Sequence, residues 1–270
     1  MLFAQAPQRT RRAFTLIELL TVVIIIGILA GLVTAAAIRV RISVRKASHA
    51  LELKQFEMAL HAYKERFGEF PPDFTGADEA AKKAVFARHL RKAFPRCTVD
   101  YINTAWTNLG QHQTPATALT FWLGGIKVGG TFTGFSANPT SPFEIGGSRI
   151  GPFYAEFDGQ RLCDDGEHYY PTVAAVQGHD PLKAIWYLRA DNSSYSGKGA
   201  IPFMDSRIGT APNFGWINPR SFQILSPGLQ GGAFVDSGPN PAFPAGVNYQ
   251  ERHLQMMSNF TGGTMEDELP

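Results

Sequence analysis

Glu18 is the residue whose surroundings most clearly demand chemistry, because it is the only charged residue between Phe14 and Ile38. A carboxylate four residues into an apolar helix costs about 2.5 to 3.5 kcal/mol on insertion scales, so such an acid requires a partner. The apolar stretch itself contains no lysine or arginine. Cutting the chain before Phe14 would create an α-amine beside the membrane, and in an assembly this amine could belong to a neighbouring copy. The alternative is that Glu18 lies close enough to the membrane face to stay hydrated.

The two cysteines, Cys97 and Cys163, are the next candidates for chemistry. They have neither CxxC spacing nor an obvious set of zinc partners, and two are too few for a disulfide scaffold. In an oxidising compartment, one bridge between them would close a loop of about 65 residues, for which the chain-entropy model gives roughly 4 kcal/mol. The sequence leaves two alternatives open, a single disulfide or two buried thiols.

No other motif in the chain is typical of an enzyme or a metal site. Residues 163–168 concentrate a cysteine, three acids and a histidine, but their crowded spacing fits no ligand template. The sequence has no GxSxG elbow, HExxH helix or phosphate-binding loop. We therefore predict a protein that is not an enzyme and has no cofactor.

The overall charge gives no reason to expect a nucleic-acid partner. Three of the 25 basic residues precede Phe14, which leaves 22 basic residues against 23 acidic ones in the rest of the chain. A nearly neutral chain lacks the electrostatic attraction on which nucleic-acid binding depends.

Residues 14–38 are apolar enough to form a membrane-spanning helix. At about 1.5 Å per residue, these 25 residues would extend roughly 37 Å, more than the ~30 Å hydrocarbon core. A secretory signal peptide is the natural competitor. The run is longer than a signal peptide needs, however, and Arg39 and Arg41 follow it at once, where a small-residue cleavage site would be expected.

Residues 39–67 continue this helix as an amphipathic half. No proline or glycine interrupts the pattern before Gly68, and the pair Pro71-Pro72 follows. Spacings of three and four residues place one group of apolar side chains on a single face: Leu53, Phe56, Leu60, Tyr63 and Phe67. The opposite side carries a charged group: Glu52, Lys54, Glu57, Lys64 and Glu65. We expect the apolar face to dock on the rest of the protein.

Residues 68–270 are predicted to form one globular domain rich in turns. A surface helix is expected over 78–94 and a shorter one over 117–123. Short strands are expected over 153–157, 183–188 and 221–225, separated by glycine, proline and asparagine turns. The predicted fold class is α+β, in which the long N-terminal helix packs on a small antiparallel sheet and a loop-rich insertion.

The N-terminal residues resemble a known processing segment. Arg11-Arg12-Ala13 followed by FTLIELLTVVIIIGILAGL is similar to the prepilin cleavage and methylation segment of type IV pilins and type II secretion pseudopilins. The resemblance implies that residues 1–13 are a leader peptide, which a prepilin peptidase cuts between Ala13 and Phe14 on the cytoplasmic side. It implies further that Phe14 is then N-methylated, and that Glu18 serves assembly through a neighbour's amine.

Three late segments are similar to the last strands and C-terminal loop of major pseudopilins, namely residues 184–191, 222–231 and 253–267. In that subgroup the late loop often binds calcium through acids, but the corresponding places here hold Gln230, Met256 and Met257. Calcium of that kind is therefore not expected. The acids that could rebuild a site are Asp236, Glu251, Glu266 and Asp267.

The resemblance implies a structural subunit of a type II secretion pseudopilus. Such a subunit spans the inner membrane once, with its N-terminus cytoplasmic and its C-terminal domain periplasmic. Its partners would be the prepilin peptidase, other pilin-like subunits and an inner-membrane assembly platform. The alternatives are a type IV pilus subunit, or a tip adhesin or binding module anchored by a pilin helix.

Overall fold

The computed structural model describes residues 15–163, 167–195, 201–229, 234 and 238–270. The chain divides into two compact units, Met1–Arg45 and Lys46–Pro270. The first unit contains the apolar half of the long helix. The second contains the amphipathic half and all the remaining elements.

Helix α1 covers Leu16–Phe67, which confirms the prediction of one long N-terminal helix. It ends where the sequence indicates. Gly68 adopts φ +82°, and its amide donates to the carbonyl of Lys64 at 2.7 Å. A left-handed glycine directly after the last helical residue is a common way to terminate a helix.

The amphipathic half of α1 buries its predicted apolar face. Leu53, Phe56, Leu60, Tyr63 and Phe67 are all buried in the main core of the second unit. On the charged side, the side chain of Glu52 is only 12% exposed. Arg161, far along the chain, approaches Glu52 and pairs with it there.

Two further helices follow α1 in the chain and contribute to the same apolar core. Helix α2 covers Glu79–Ala93 and helix α3 covers Val99–Ala105. Helix α2 confirms the predicted surface helix, and the Asp78 side chain caps its first turn. The hydroxyl of Tyr63 and Nε2 of His89 are 2.8 Å apart, which links α1 to α2 in the core.

Two short segments have the wider π-helical geometry, Trp106–Gly110 and Thr120–Gly124. We call them the first and second π segments. The second replaces most of the short helix expected over 117–123. Single π-helical turns are rare and frequently occur at functional sites.

In the described part of the chain the strands form four small sheets, whereas one small antiparallel sheet was predicted. Three of these sheets are wholly antiparallel, whereas β6 and β9 pair in parallel. The strands are β1 Lys127–Val128, β2 Thr131–Phe132, β3 Phe135–Ser136, β4 Arg149–Ile150, β5 Trp186–Arg189, β6 Met204–Thr210, β7 Asn213–Trp216, β8 Phe222–Ser226, β9 Ala242–Phe243 and β10 Met257–Ser258. The remaining short helices are α4 Val173–Val176 and α5 Glu251–Leu254, together with 3₁₀ turns at Gly159–Arg161, Pro181–Lys183 and Glu266–Glu268.

The sheet ordered β10-β8-β5 separates two apolar clusters of the second unit. Tyr187 and Ile224 are cross-strand partners and belong to the cluster that contains α1. Trp186 and Leu225, the adjacent pair, belong to the other cluster. Because side chains alternate between the faces of a strand, both faces of this sheet are buried.

Two of the three predicted strands are present with shifted ends. Strand β5 begins three residues later than expected because Pro181–Lys183 form a 3₁₀ turn, and β8 is displaced by one residue. The strand predicted over 153–157 was wrong. The amides of Phe153 and Tyr154 both donate to the carbonyl of Leu123, and the segment makes no strand ladder.

Candidate processing and assembly site

The proposed cleavage bond lies outside the described residues, since Ala13 and Phe14 both precede residue 15. Glu18 is described and lies in the first turn of α1. Its Oε2 accepts from the Thr15 amide at 2.9 Å and from the Thr15 hydroxyl at 2.8 Å. The Glu18 amide in turn donates to the Thr15 hydroxyl oxygen at 3.3 Å.

Thr15 and Glu18 therefore form a capping box at the start of the helix. This gives Glu18 a local partner that sequence reasoning missed, although the Thr-x-x-Glu spacing was the signal that could have found it. Only one carboxylate oxygen takes part: within the described residues, no hydrogen bond reaches Oε1. Oε1 therefore remains accessible to a second donor.

The apolar half of α1 is uncovered along its whole described length. Every residue from 15 to 45 is exposed, including apolar side chains such as Leu16 at 83% and Leu32 at 65%. This helix is long and apolar enough to cross a membrane, judged by length and composition. An apolar surface of this size requires either lipid or protein to cover it.

Residues 8–34 match the family model described as the prokaryotic N-terminal methylation motif. Together with the long apolar helix, this match supports a type IV pilin-like protein. The motif marks structural subunits and implies processing by a prepilin peptidase and assembly with other pilin-like subunits. It also indicates a membrane-anchored protein with a single span. No curated protein and no solved structure matches the chain significantly.

A buried polar network fixes the amphipathic half of α1 to the body of this pilin-like chain. Both terminal nitrogens of the Arg161 guanidinium donate to the carboxylate of Glu52, each at 2.8 Å. Tyr169 donates its hydroxyl to Oε1 of Glu52 at 2.8 Å, and His49 Nδ1 lies 3.1 Å from Oε2. Nε2 of His49 and the hydroxyl of Ser226 are 2.7 Å apart.

The charge state of Glu52 follows from these contacts. Burial raises its pKa, but the hydrogen bonds from His49 and Arg161, the Arg161 charge and the Tyr169 hydroxyl together lower the pKa to about 2. The carboxylate is therefore ionised in the folded protein at ordinary pH, and its ion pair with Arg161 is bidentate, which is the strongest geometry for such a pair.

Ser226, His49 and Glu52 have the connectivity of a serine hydrolase triad. Two observations argue against catalysis at this place. Ser226 has no exposed surface and His49 is 4% exposed, so a substrate cannot reach the hydroxyl. The Glu52 carboxylate is also neutralised by Arg161, which leaves it less able to stabilise an imidazolium. The set serves to hold α1 against strand β8.

The two cysteines are free thiols in the structure, so no bridge joins Cys97 to Cys163. They lie in different apolar clusters, Cys97 in the cluster around α1 and Cys163 in the one beyond the central sheet. Of the two alternatives that the sequence left open, the structure contains two buried thiols.

Two of the acids considered for calcium, Glu266 and Asp267, have hydrogen-bond partners within the protein. Asp236 lies outside the described residues. Asp267 accepts from the Thr264 hydroxyl and from Lys46, and Glu266 accepts from the side-chain amide nitrogen of Gln255. Within the described ranges, no group of three metal-ligating side chains occurs.

Proposed function

We propose that this chain is a structural subunit of a type II secretion pseudopilus. In this proposal a prepilin peptidase cuts between Ala13 and Phe14 and methylates the new amine of Phe14. Residues 14–38 hold the subunit in the inner membrane, with the N-terminus cytoplasmic and residues 68–270 periplasmic. The observation that carries the proposal is the methylation motif at residues 8–34, which continues into an uncovered apolar helix.

Assembly would cover the exposed apolar surface of this helix and would also give Glu18 a cationic partner. Helices of neighbouring subunits would cover the exposed apolar surface from Leu16 to Val44. The methylated amine of one subunit would approach Oε1 of Glu18 in the next, while Oε2 remains in the capping box with Thr15. A cation beside a carboxylate in an apolar filament core removes most of the cost of burying the acid.

The secretion pseudopilus is favoured over the type IV pilus by the late segments. Residues 184–191 contain strand β5, residues 222–231 contain strand β8, and residues 253–267 contain strand β10. The three segments similar to major pseudopilins thus supply the three strands of one sheet, β10-β8-β5.

Processing is tested by co-expressing the full chain with a prepilin peptidase and with its inactivated form. We expect loss of residues 1–13 and a mature chain that begins with Phe14 and carries the added mass of one methyl group, as read by mass spectrometry of the N-terminal peptide. The inactive peptidase should leave the chain intact. An unshifted chain with the active enzyme, or a cut beyond the apolar run by signal peptidase, would refute the proposal.

A second candidate function is a binding module at a filament tip. It is favoured by a cavity of about 220 Å³ in the part of the chain without a recognised resemblance. Leu109 of the first π segment and Phe121 of the second line this cavity, together with Phe132, Lys127 and the buried Gln113. Immunogold labelling of fibres separates the candidates, because a major subunit labels the whole length and a tip protein labels only the ends.

A further inference from the structure

Cys163 lies in direct contact with the imidazole of His179, its Sγ against Nδ1. Two consecutive pieces of chain create this contact. The Cys163 amide donates to the His168 carbonyl at 3.1 Å, and the neighbouring Leu162 and Tyr169 form an antiparallel bridge. His179 follows helix α4, and its own amide donates to the Val176 carbonyl at 3.1 Å.

His179 has an unusual backbone for a residue with a side chain. Its φ is +50°, in the left-handed region, and the preceding Gly178 also has a positive φ of +90°. The imidazole belongs to an exposed residue, whereas Cys163 is 7% exposed. The thiol is therefore covered by the imidazole of a residue that is itself exposed.

Cys97 provides an internal comparison with similar burial. It is 9% exposed, and its Sγ lies 3.6 Å from the Thr140 carbonyl, which can only accept the thiol proton in a hydrogen bond. Burial raises the pKa of Cys97 to about 11. Exposure alone would predict similar reactivity for the two thiols, whereas the contact with His179 distinguishes Cys163 from Cys97.

We propose that Cys163 and His179 form a thiol-exchange site that takes small disulfides. A histidine in contact with a cysteine is the arrangement that activates cysteine nucleophiles, because the thiolate is the reactive species. His179 accepts the Sγ proton, and the thiolate attacks one sulfur of a disulfide R–S–S–R. The new Sγ–S bond forms as the old S–S bond breaks, and the leaving RS⁻ takes up a proton. Cys163 ends as a mixed disulfide, which a second thiol can reverse.

The site goes beyond a role in filament assembly, and only its oxidising surroundings rest on the periplasmic location in the proposed function. It would allow the body of a subunit to be capped reversibly by small thiols in an oxidising compartment. Cys163 belongs to the unit Lys46–Pro270, whereas the methylation motif lies within residues 8–34.

The test measures the reaction of the full-length protein in detergent with 2,2′-dithiodipyridine, whose released thiopyridone is followed by absorbance. Cys97→Ala leaves only Cys163, and Cys163→Ala leaves only Cys97. We expect the first variant to react about tenfold faster than the second at neutral pH. An ordinary thiol is only a few per cent ionised there, so a histidine that takes up the proton increases the reactive fraction, although a more acidic thiol is also a weaker nucleophile. Equal rates would overturn the proposal.

His179 is tested in the Cys97→Ala background. His179→Gln and His179→Asn should each slow the reaction about tenfold, whereas His112→Gln, which removes an exposed histidine elsewhere, should leave the rate unchanged. Tryptophan fluorescence establishes which variants are folded, and a folded variant of His179 that reacts at the parent rate would overturn the proposal. If only one of the two His179 variants is folded, its reaction rate alone tests the proposal.

Discussion

Glu18 and Glu52 lie on the same helix, but their carboxylates have different surroundings. Thr15 alone contacts the carboxylate of Glu18 among the described residues, through one oxygen. Glu52 is held by Arg161, Tyr169 and His49 through both oxygens. Glu18 can therefore still bind a group from another molecule, whereas both oxygens of Glu52 are already bound within the protein.

Glu52→Gln should lower the free energy of unfolding by about 3 kcal/mol at neutral pH, because it leaves the mostly buried Arg161 without its counterion. Urea unfolding followed by tryptophan fluorescence measures the loss, since all four tryptophans lie beyond residue 46. Glu65→Gln on the exposed side of the same helix is the matched control and should change the value by less than about 0.5 kcal/mol.

The loss at Glu52 should also depend on pH. The folded pKa of Glu52 is about 2, below its ordinary value of 4.5, so its stabilisation is complete above 4.5 and disappears as the pH falls towards 2. The difference between wild type and Glu52→Gln should therefore shrink across this window. A difference that stays constant from pH 6 to pH 2.5 would contradict this assignment.

His253 should contribute a second pH dependence. Its Nδ1 accepts from the Gln250 amide at 2.8 Å, which requires a neutral ring. Burial, followed by the nearby Arg252 charge, lowers its pKa from 6.5 to about 4. Stability from this group is thus present above 6.5 and lost as the pH falls to 4. His253→Gln should flatten the melting temperature over this range, whereas the exposed His61→Gln should not.

At the level of elements, the two halves of α1 have different distributions of apolar residues. Its apolar half has no polar face, so it suits an environment that is apolar on every side. Its second half concentrates its apolar residues on one face. Phe56 on that face contacts the rings of Tyr154, Phe157 and Tyr169, with centroids 4.8 to 5.9 Å apart.

Phe56→Ala should destabilise the second unit by about 3 to 5 kcal/mol, because it removes a fully buried ring from an aromatic cluster. Met58→Ala is the matched control two residues away, where the side chain is 63% exposed. We expect it to alter the free energy of unfolding by less than about 0.5 kcal/mol. Similar losses in both urea titrations would mean that the burial pattern of this half is wrong.

At the level of the whole molecule, the proposed function requires copies of the chain to meet through α1. Glu18 could support this assembly through its charge or through its capping box with Thr15, and different substitutions remove the two separately. Glu18→Ala removes both, Glu18→Gln retains a side-chain oxygen for the Thr15 donors without the charge, and Thr15→Ala removes the threonine hydroxyl while the charge remains.

If the charge serves assembly, Glu18→Ala and Glu18→Gln should both be inserted and largely cleaved, yet fail to form filaments. Thr15→Ala should still assemble, since a lost cap costs only about 1 kcal/mol. Sheared-filament yield and electron microscopy measure the outcome. Wild-type yield from Glu18→Ala, or from Glu18→Gln, would refute the role given to the charge.

The sequence by itself determined the features that depend on local composition. The long helix, its end at Gly68, its buried face and the helix following Asp78 are all written in residues a few positions apart. The methylation motif is of the same kind, since it is confined to residues 8–34. Such features can be predicted without knowledge of any distant contact.

Only the tertiary structure decided the contacts between distant segments. Glu52 meets Arg161 across 109 positions, and His49 meets Ser226 across 177. The tertiary structure also decided three further features: the division of the strands into four sheets, the absence of a strand over 153–157, and the contact of Cys163 with His179. Each depends on how the irregular loops between them fold, and a loop's path is set by the competition among many weak contacts that no short window of sequence contains.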